Sequence, residues 1–389
     1  MDFNFTTEQE QFADALKRWV AKDYQFEARH KIIHSDSGVS DAAWAALAEL
    51  GLLALPIPEA QGGFDGNAVD MLVVMQEVGR GLVVEPLFAT LMGAEFLKRG
   101  GGHDGLLEQV AGGGLKLACA LGERQSRHDM RDICTRATPN AGGYLINGTK
   151  TVVIHGAQAD QLIVSARTAG AQRDQDGIVL FVLPADTEGV TRRDYRTLDG
   201  MRAADITFSN VQLAASAALG DPGDGWPLLE AGLDYGVCLL CFDAIGAMDA
   251  LQALTLDYLK TRQQFGVPIG KFQALQHRMA EMFMELEQAR SMAMLAAVKM
   301  DTADAEERRR TVSAAKVRVG KAARYVGQQA VQLHGGIGVT DELPAAHYFK
   351  RLSMFEVSLG DVDHHLARFV AQPGFKGQVA AMATSPEAA

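Results

Sequence analysis

Apolar positions follow one period at the two ends of this chain and another in the middle. From residue 6 to about 110 they recur every three or four residues, in Glu8–Tyr24, Asp41–Leu50, Ala68–Gly79 and Ala89–Lys98, a spacing that places them on one face of a helix. Glycine and proline punctuate these runs, as in Pro56-Ile57-Pro58-Glu59-Ala60-Gln61-Gly62-Gly63. From about 115 the period falls to two. Leu115–Leu121, Ile133–Ala137, Gly143–Asn147, Thr151–Ile154, Gln161–Thr168, Gly177–Leu183, Arg192–Arg196 and Asp205–Val211 alternate as strands do, with Asn147-Gly148 and Asp199-Gly200 between them as hairpin-type turns. Strands without intervening helices predict an antiparallel barrel or sandwich. The helical period returns at Trp226 and persists through Leu228–Arg262, Lys271–Met300, Glu306–Leu333, Ala345–Leu359 and Val362–Val370. Long helices joined by short loops predict a bundle.

The expected class is therefore α+β and multidomain. A helical N-terminal domain (1–113) precedes a middle antiparallel β-barrel or sandwich domain (114–225) and a C-terminal four-helix-type bundle (226–373). The small, polar residues of 374–389 predict a disordered tail. At 389 residues the chain exceeds one ordinary core. A net charge of -11 supplies no basic face for nucleic acid or an anionic membrane. No apolar run nears the roughly 18 residues of a membrane span. Met1-Asp2-Phe3-Asn4-Phe5 lacks the features of a signal or transit peptide, so the cytoplasm is expected. The 4 cysteines are too few for a disulfide framework, and Cys238 and Cys241, though spaced C-x-x-C, lie in an apolar helical run where a free thiol acts as a small hydrophobe.

Candidate chemistry concentrates in the last third. Arg262-Gln263-Gln264-Phe265-Gly266 puts an arginine, two amides and a turn between long helices, where packing alone asks for none of them. Gln332-Leu333-His334-Gly335-Gly336-Ile337-Gly338 adds another amide and glycines that let a ligand approach bare backbone. Together they point to a large phosphate-bearing cofactor. The competing reading makes Arg262 a simple helix C-terminal cap.

The layout and several motifs resemble the acyl-CoA dehydrogenase family over about residues 5 to 370. Gly51-Leu52-Leu53 with Pro58-Glu59 and Gly62-Gly63, Leu121-Gly122-Glu123 to Asp129, Ile146-Asn147-Gly148-Thr149-Lys150, Gly200-Met201-Arg202, and the arginine and glycine motifs stand in the family's order. The resemblance implies FAD, held where the β domain meets the bundle, and removal of two hydrogens from the Cα–Cβ bond of an acyl-CoA. Electrons would pass to an electron-transfer flavoprotein. It places Arg262 and Phe265 at the FAD of a neighbouring subunit, with Gln273, Gln332, Gly335 and Gly336 along the dinucleotide. The partners implied are an acyl-CoA and further subunits, as a homo- or hetero-oligomer built as a dimer of dimers. Glu123, Asp129, Ile154, Asp361 and Asp363 complete the implied cofactor contacts, with no metal.

The chain departs from that pattern at the proton acceptor. Leu359 stands where the family's glutamate is expected, and Gly236 occupies the alternative base position. Asp243, in an apolar run, and Asp361, two residues beyond Leu359, are the candidate replacements. Each also has a structural reading: Asp243 as the partner of an arginine or hydroxyl, Asp361 as a helix cap. Val152-Val153-Ile154 replaces an aromatic and a hydroxyl near the flavin, Arg124 a proline, His128 a serine and Val237 an arginine. Lys150-Thr151-Val152-Val153 and Gly360-Asp361-Val362-Asp363-His364-His365-Leu366 resemble the small-subunit-like branch of two-chain bacterial members, so a cofactor-completing, non-catalytic subunit is the alternative. A related oxygen-consuming flavin enzyme is a further one. His364 and His365, adjacent on a helix, diverge too far to share an ion, and surface or cofactor-edge packing is expected of them.

Overall fold

The computed structural model describes residues 5–221, 223 and 225–372; the tail expected to be disordered lies outside the described residues. The chain forms two compact units. One comprises residues 1–74 and 83–236, the other 75–82 and 237–389.

The first unit holds helices α1 (Thr7–Asp23), α2 (Phe26–Ile33), α3 (Asp41–Glu49), the start of α4 (Ala68–Arg80), α5 (Leu87–Gly100) and α6 (Asp104–Ala111). Thr6 starts α1 through a capping box: its hydroxyl accepts from Gln9 N at 3.2 Å and its own N–H donates to Gln9 Oε1 at 2.9 Å. α2 and α6 escape the periodicity because eight residues span barely two turns. α5 is buried almost throughout. Small residues permit this: a Cβ at Gly93 would lie 2.7 Å from Leu117 Cβ, and one at Gly232 only 2.2 Å from the Phe96 ring.

The same unit contains β1 (Leu117–Ala120), β2 (Arg136–Asn140), β3 (Gly143–Ile154), β4 (Gln161–Arg167), β5 (Ile178–Pro184), β6 (Val190–Arg196), β7 (Arg202–Leu213) and β8 (Ala218–Leu219). They form one sheet in the order β6-β7-β3-β2-β4-β5-β8, with β1 also on β4. The long ladders are antiparallel as expected, while β1 and the first residue of β2 run parallel to β4. Its core gathers Ile146, Val164, Phe181, Ile206 and Phe208.

One turn expected from the sequence is not there. Asn147-Gly148 lies inside β3, which runs unbroken and takes up register shifts against β7 between Ile146 and Gly148 and again between Lys150 and Val153. A glycine in a strand marks a bulge or a close approach as readily as a turn. Here a Cβ at Gly148 would sit 2.4 Å from Thr135 Oγ1. Asp199-Gly200 does turn the chain, between β6 and β7.

The second unit is the helical bundle: the latter part of α7 (Gly225–Thr261), then α8 (Gln273–Val298), α9 (Ala305–His334), α10 (Pro344–Val357) and α11 (Val362–Val370). A short hairpin, β9 (Gln263–Gln264) and β10 (Val267–Pro268), follows α7, and a 3-10 turn (Gly335–Val339) follows α9. Asp304 caps α9 through Glu306 N and Glu307 N, and Pro344 opens α10 where no N–H is needed. The end of α4 crosses α7 at backbone contact, since a Cβ at Gly79 would meet Asp243 O at 1.9 Å and one at Gly246 would meet Gln76 O at 1.7 Å. Contrary to the sequence reading, α7 is long and apolar enough to cross a membrane; 67% of that stretch is buried inside the protein, as in a core helix.

Candidate cofactor site

α7 ends with Arg262 N donating to Tyr258 O at 2.8 Å, and Ile269 N donates back to Arg262 O at 2.8 Å, folding the hairpin onto the helix end. Pairing of Val267 with Gln264 leaves Phe265-Gly266 as a two-residue turn with φ of 54° and 76°. Two positive φ values are the mark of a type I′ turn, which favours asparagine followed by glycine. A phenylalanine in the left-handed region costs about 1–2 kcal/mol. This one is also 90% exposed, with only the edge of Phe272 beside it at 6.0 Å between centroids. The Arg262 guanidinium is exposed and has no partner among the described residues, so it does not serve as a C-terminal cap.

The glycine motif follows α9 directly. Gly335 has φ of 66°, and a Cβ on Gly335 or Gly336 would meet nothing within 4 Å. At Gly338 a Cβ would lie 2.8 Å from Val331 O. The first two glycines leave backbone bare, and the third lets the loop fold back against α9. Gln332 and Gln273 are exposed, the one in the last turn of α9, the other opening α8 next to Phe272.

Two residues not singled out from the sequence bring the motifs together. Tyr258, one turn before Arg262, stacks on His334, immediately before Gly335, with ring centroids 4.5 Å apart at 30°. The Tyr258 hydroxyl donates to His334 O at 3.3 Å. His334 is 3% exposed, its Nδ1 bonds Ala330 O at 2.8 Å, and its Nε2 is buried without a partner. Burial holds its pKa below the usual histidine value, so the ring stays neutral. The sequence signal was positional only: an aromatic four residues before Arg262 and another ring beside the glycines.

In the first unit the candidates divide. Glu123, expected to contact cofactor, is buried: Oε1 accepts from Lys150 Nζ at 2.8 Å and Thr135 N at 3.0 Å, Oε2 from Cys134 N and Gln125 Nε2, both at 2.8 Å. Both side-chain oxygens are used within the fold. Burial opposes ionisation, but the Lys150 charge and these donors outweigh it and hold the carboxyl below its usual range. Asp129 is half-buried and accepts from Arg131 Nε at 2.9 Å. Ile154 packs beside Ile33, Val84 and Met201.

The candidate bases are also engaged. Asp243, 3% exposed, takes both Arg351 Nε (2.9 Å) and Nη2 (2.7 Å) in a bidentate pair joining α7 to α10. Accepting a proton would require breaking that fork in buried surroundings. Asp361 caps α11, its Oδ1 accepting from His364 N at 2.8 Å; Asp363, in the first turn, is exposed. These are the structural alternatives foreseen for Asp243 and Asp361. Leu359 takes the left-handed region, φ 51°, and its carbonyl accepts from His365 Nε2 at 2.9 Å. His365 is therefore a buried backbone clamp, not the surface or cofactor-edge group expected. Nearby, Lys316 Nζ donates to Phe355 O at 2.6 Å and lies 4.0 Å from the Phe355 ring centroid. Burial takes its pKa down to about 8.

Helices, then a sheet, then a bundle whose exposed arginine and open glycine loop are linked through Tyr258 and His334 suit an enzyme that binds a large phosphate-bearing cofactor. The comparisons name it: residues 6–103, 118–213 and 223–372 match the family models for the acyl-CoA dehydrogenase N-terminal, middle and C-terminal domains, and the chain belongs to the acyl-CoA dehydrogenase family. A probable acyl-CoA dehydrogenase of Bacillus subtilis, YngJ, is 29% identical over 371 residues, covering 92% of this chain and 96% of that protein. PigA, solved with FAD and proline, superposes with a TM-score of 0.89 at 26% identity, over 97% of this chain and 100% of its own. A steroid acyl-CoA dehydrogenase described as Tcur3481-Tcur3483 gives a TM-score of 0.86 at 28% identity, over 96% and 99%. The chain is an oxidoreductase with FAD as cofactor. Its residues fit such a group: a free guanidinium fork for a diphosphate and two glycines open to an incoming ligand.

Proposed function

We propose that this protein catalyses α,β-dehydrogenation of an acyl-CoA thioester and passes the electrons to an electron-transfer flavoprotein. The observation that carries the reading is the juxtaposition, through Tyr258 and His334, of Arg262 with Gly335 and Gly336. FAD, when bound, supplies the acceptor for the β-hydride. Arg262 would grip its diphosphate, with Gln273, Gln332 and the amides of Gly335 and Gly336 alongside. The exposed, left-handed Phe265 supports a tip that reaches a neighbouring subunit, since burial there would offset both its exposure and its strain. That sharing calls for an oligomer, and a dimer of dimers is the arrangement proposed.

The test is purification of the full chain, measurement of flavin per subunit by absorbance, and assay against acyl-CoA thioesters of graded length with an electron-transfer flavoprotein. Bound FAD with enoyl-CoA product is expected; a flavin-free, inactive chain sinks the catalytic reading.

A specific observation favours a second reading, in which the chain completes the cofactor site of a related partner and does no chemistry itself. Leu359 stands at the expected base position, while Asp243 and Asp361 already have structural partners. The description of the steroid relative names two proteins. Activity that appears only when a second acyl-CoA dehydrogenase-like chain is added would support this reading. Full activity of the chain alone would end it.

A further inference from the structure

We infer that His334 and Tyr258 are positioning residues for the cofactor, a pin that sets the distance between the arginine and the glycine loop. The inference rests on the proposed placement of FAD at Arg262 and Gly335.

The two ligand-facing motifs lie about seventy residues apart, and each stands at the end of its helix: Arg262 makes the last helical bond of α7, and Gly335 breaks α9 with a positive φ. Nothing in either motif alone fixes their separation. Tyr258 does so twice, by ring stacking on His334 and by donating its hydroxyl to the carbonyl of the same residue. That carbonyl belongs to the peptide unit whose N–H is Gly335's. The His334 ring is in turn oriented from within α9 by its bond to Ala330 O, and Gly338 closes the loop against the helix beneath it. The chain of contacts is therefore continuous from Arg262, through one helical turn to Tyr258, across the ring stack to His334, and on to Gly335.

The buried, partnerless Nε2 of His334 is the second sign. An orphaned buried acceptor is unfavourable, a cost an all-carbon ring would avoid. Its Nδ1 compensates by setting the ring plane, so the imidazole works here as an oriented plate, not a ligand contact. With less than a square ångström of surface, Nε2 cannot itself touch FAD.

The experiment uses the full-length chain in its native oligomer and measures the FAD dissociation constant by flavin fluorescence, with the apo-protein melting temperature beside it. The variants are His334→Ala, His334→Phe, Tyr258→Phe and Arg262→Ala. His334→Ala should weaken FAD about tenfold. His334→Phe, which keeps the plate, should recover to within about threefold of the parent, and Tyr258→Phe, losing one hydrogen bond, should cost about threefold. Arg262→Ala should weaken FAD at least tenfold with the melting temperature unchanged. If Arg262→Ala matters and His334→Ala binds like the parent, the pin is wrong while the site stands. If Arg262→Ala binds like the parent, the placement of FAD is wrong and the pin falls with it. Should His334→Ala not fold, His334→Phe with Tyr258→Phe decides: equal, parental affinity in both overturns the inference.

Discussion

Single residues carry most of the departures from a simple reading of this chain. Glu123 sits in a polar stretch of mixed charge that resembled a ligand loop, yet its partners, Lys150 and the amides of 134 and 135, come from elsewhere along the chain and only folding assembles them. Removing one member of such a buried pair strands the other, so Lys150→Met should cost about 3–5 kcal/mol in urea unfolding, and Lys150→Met with Glu123→Leu distinctly less. Because the folded carboxyl is depressed, its contribution is complete above about pH 4.5 and is lost as pH falls toward about 2. Lys316 has a dependence of the same sign in a higher pH window. Burial lowers its folded pKa to about 8 against about 10.5 unfolded, so the unfolded chain binds the extra proton between those values and stability rises with pH across them. The gain should approach about 3 kcal/mol by pH 10.5, and Lys316→Met should abolish that rise in a series of thermal melts.

At the scale of elements, length decided what could be foreseen. The helices α7 to α10 are long enough for their period to show, whereas α2 and α6 left no repeat to count. β3 was divided in two because Asn147-Gly148 has the composition of a hairpin turn; the local signal was genuine, but pairing of β3 with β7 on both sides overrode it. The β9–β10 hairpin shows the converse, a regular element whose tip residue is poorly suited to it. Phe265→Asn should relieve the left-handed strain and raise the stability of the isolated subunit by about 1 kcal/mol. The same variant should weaken assembly and FAD retention, as seen by sedimentation and flavin absorbance. A variant that gains stability and keeps both would show the phenylalanine has no partner.

For the whole molecule, the change of hydrophobic period exposed the helical, β and helical order, and the motif order exposed the family. What stayed illegible depended on distance in sequence: Arg351 facing Asp243 across 108 positions, and Tyr258 meeting His334 across 76. No local pattern announces such pairs, which is why Asp243 acquired its arginine only in three dimensions, whereas the Asp361 cap, three residues from its partner, was legible. One feature of the first unit also bears on how the chain is made. α5 is apolar nearly all round, and the Gly232 notch that receives Phe96 is synthesised roughly 130 residues later, about 7–30 s at ordinary translation rates. Until then α6 and β1 can cover other faces of α5 but the Phe96 face stays open, so limited proteolysis of chains stalled before α7 should cut within α5 and cease once α7 is included.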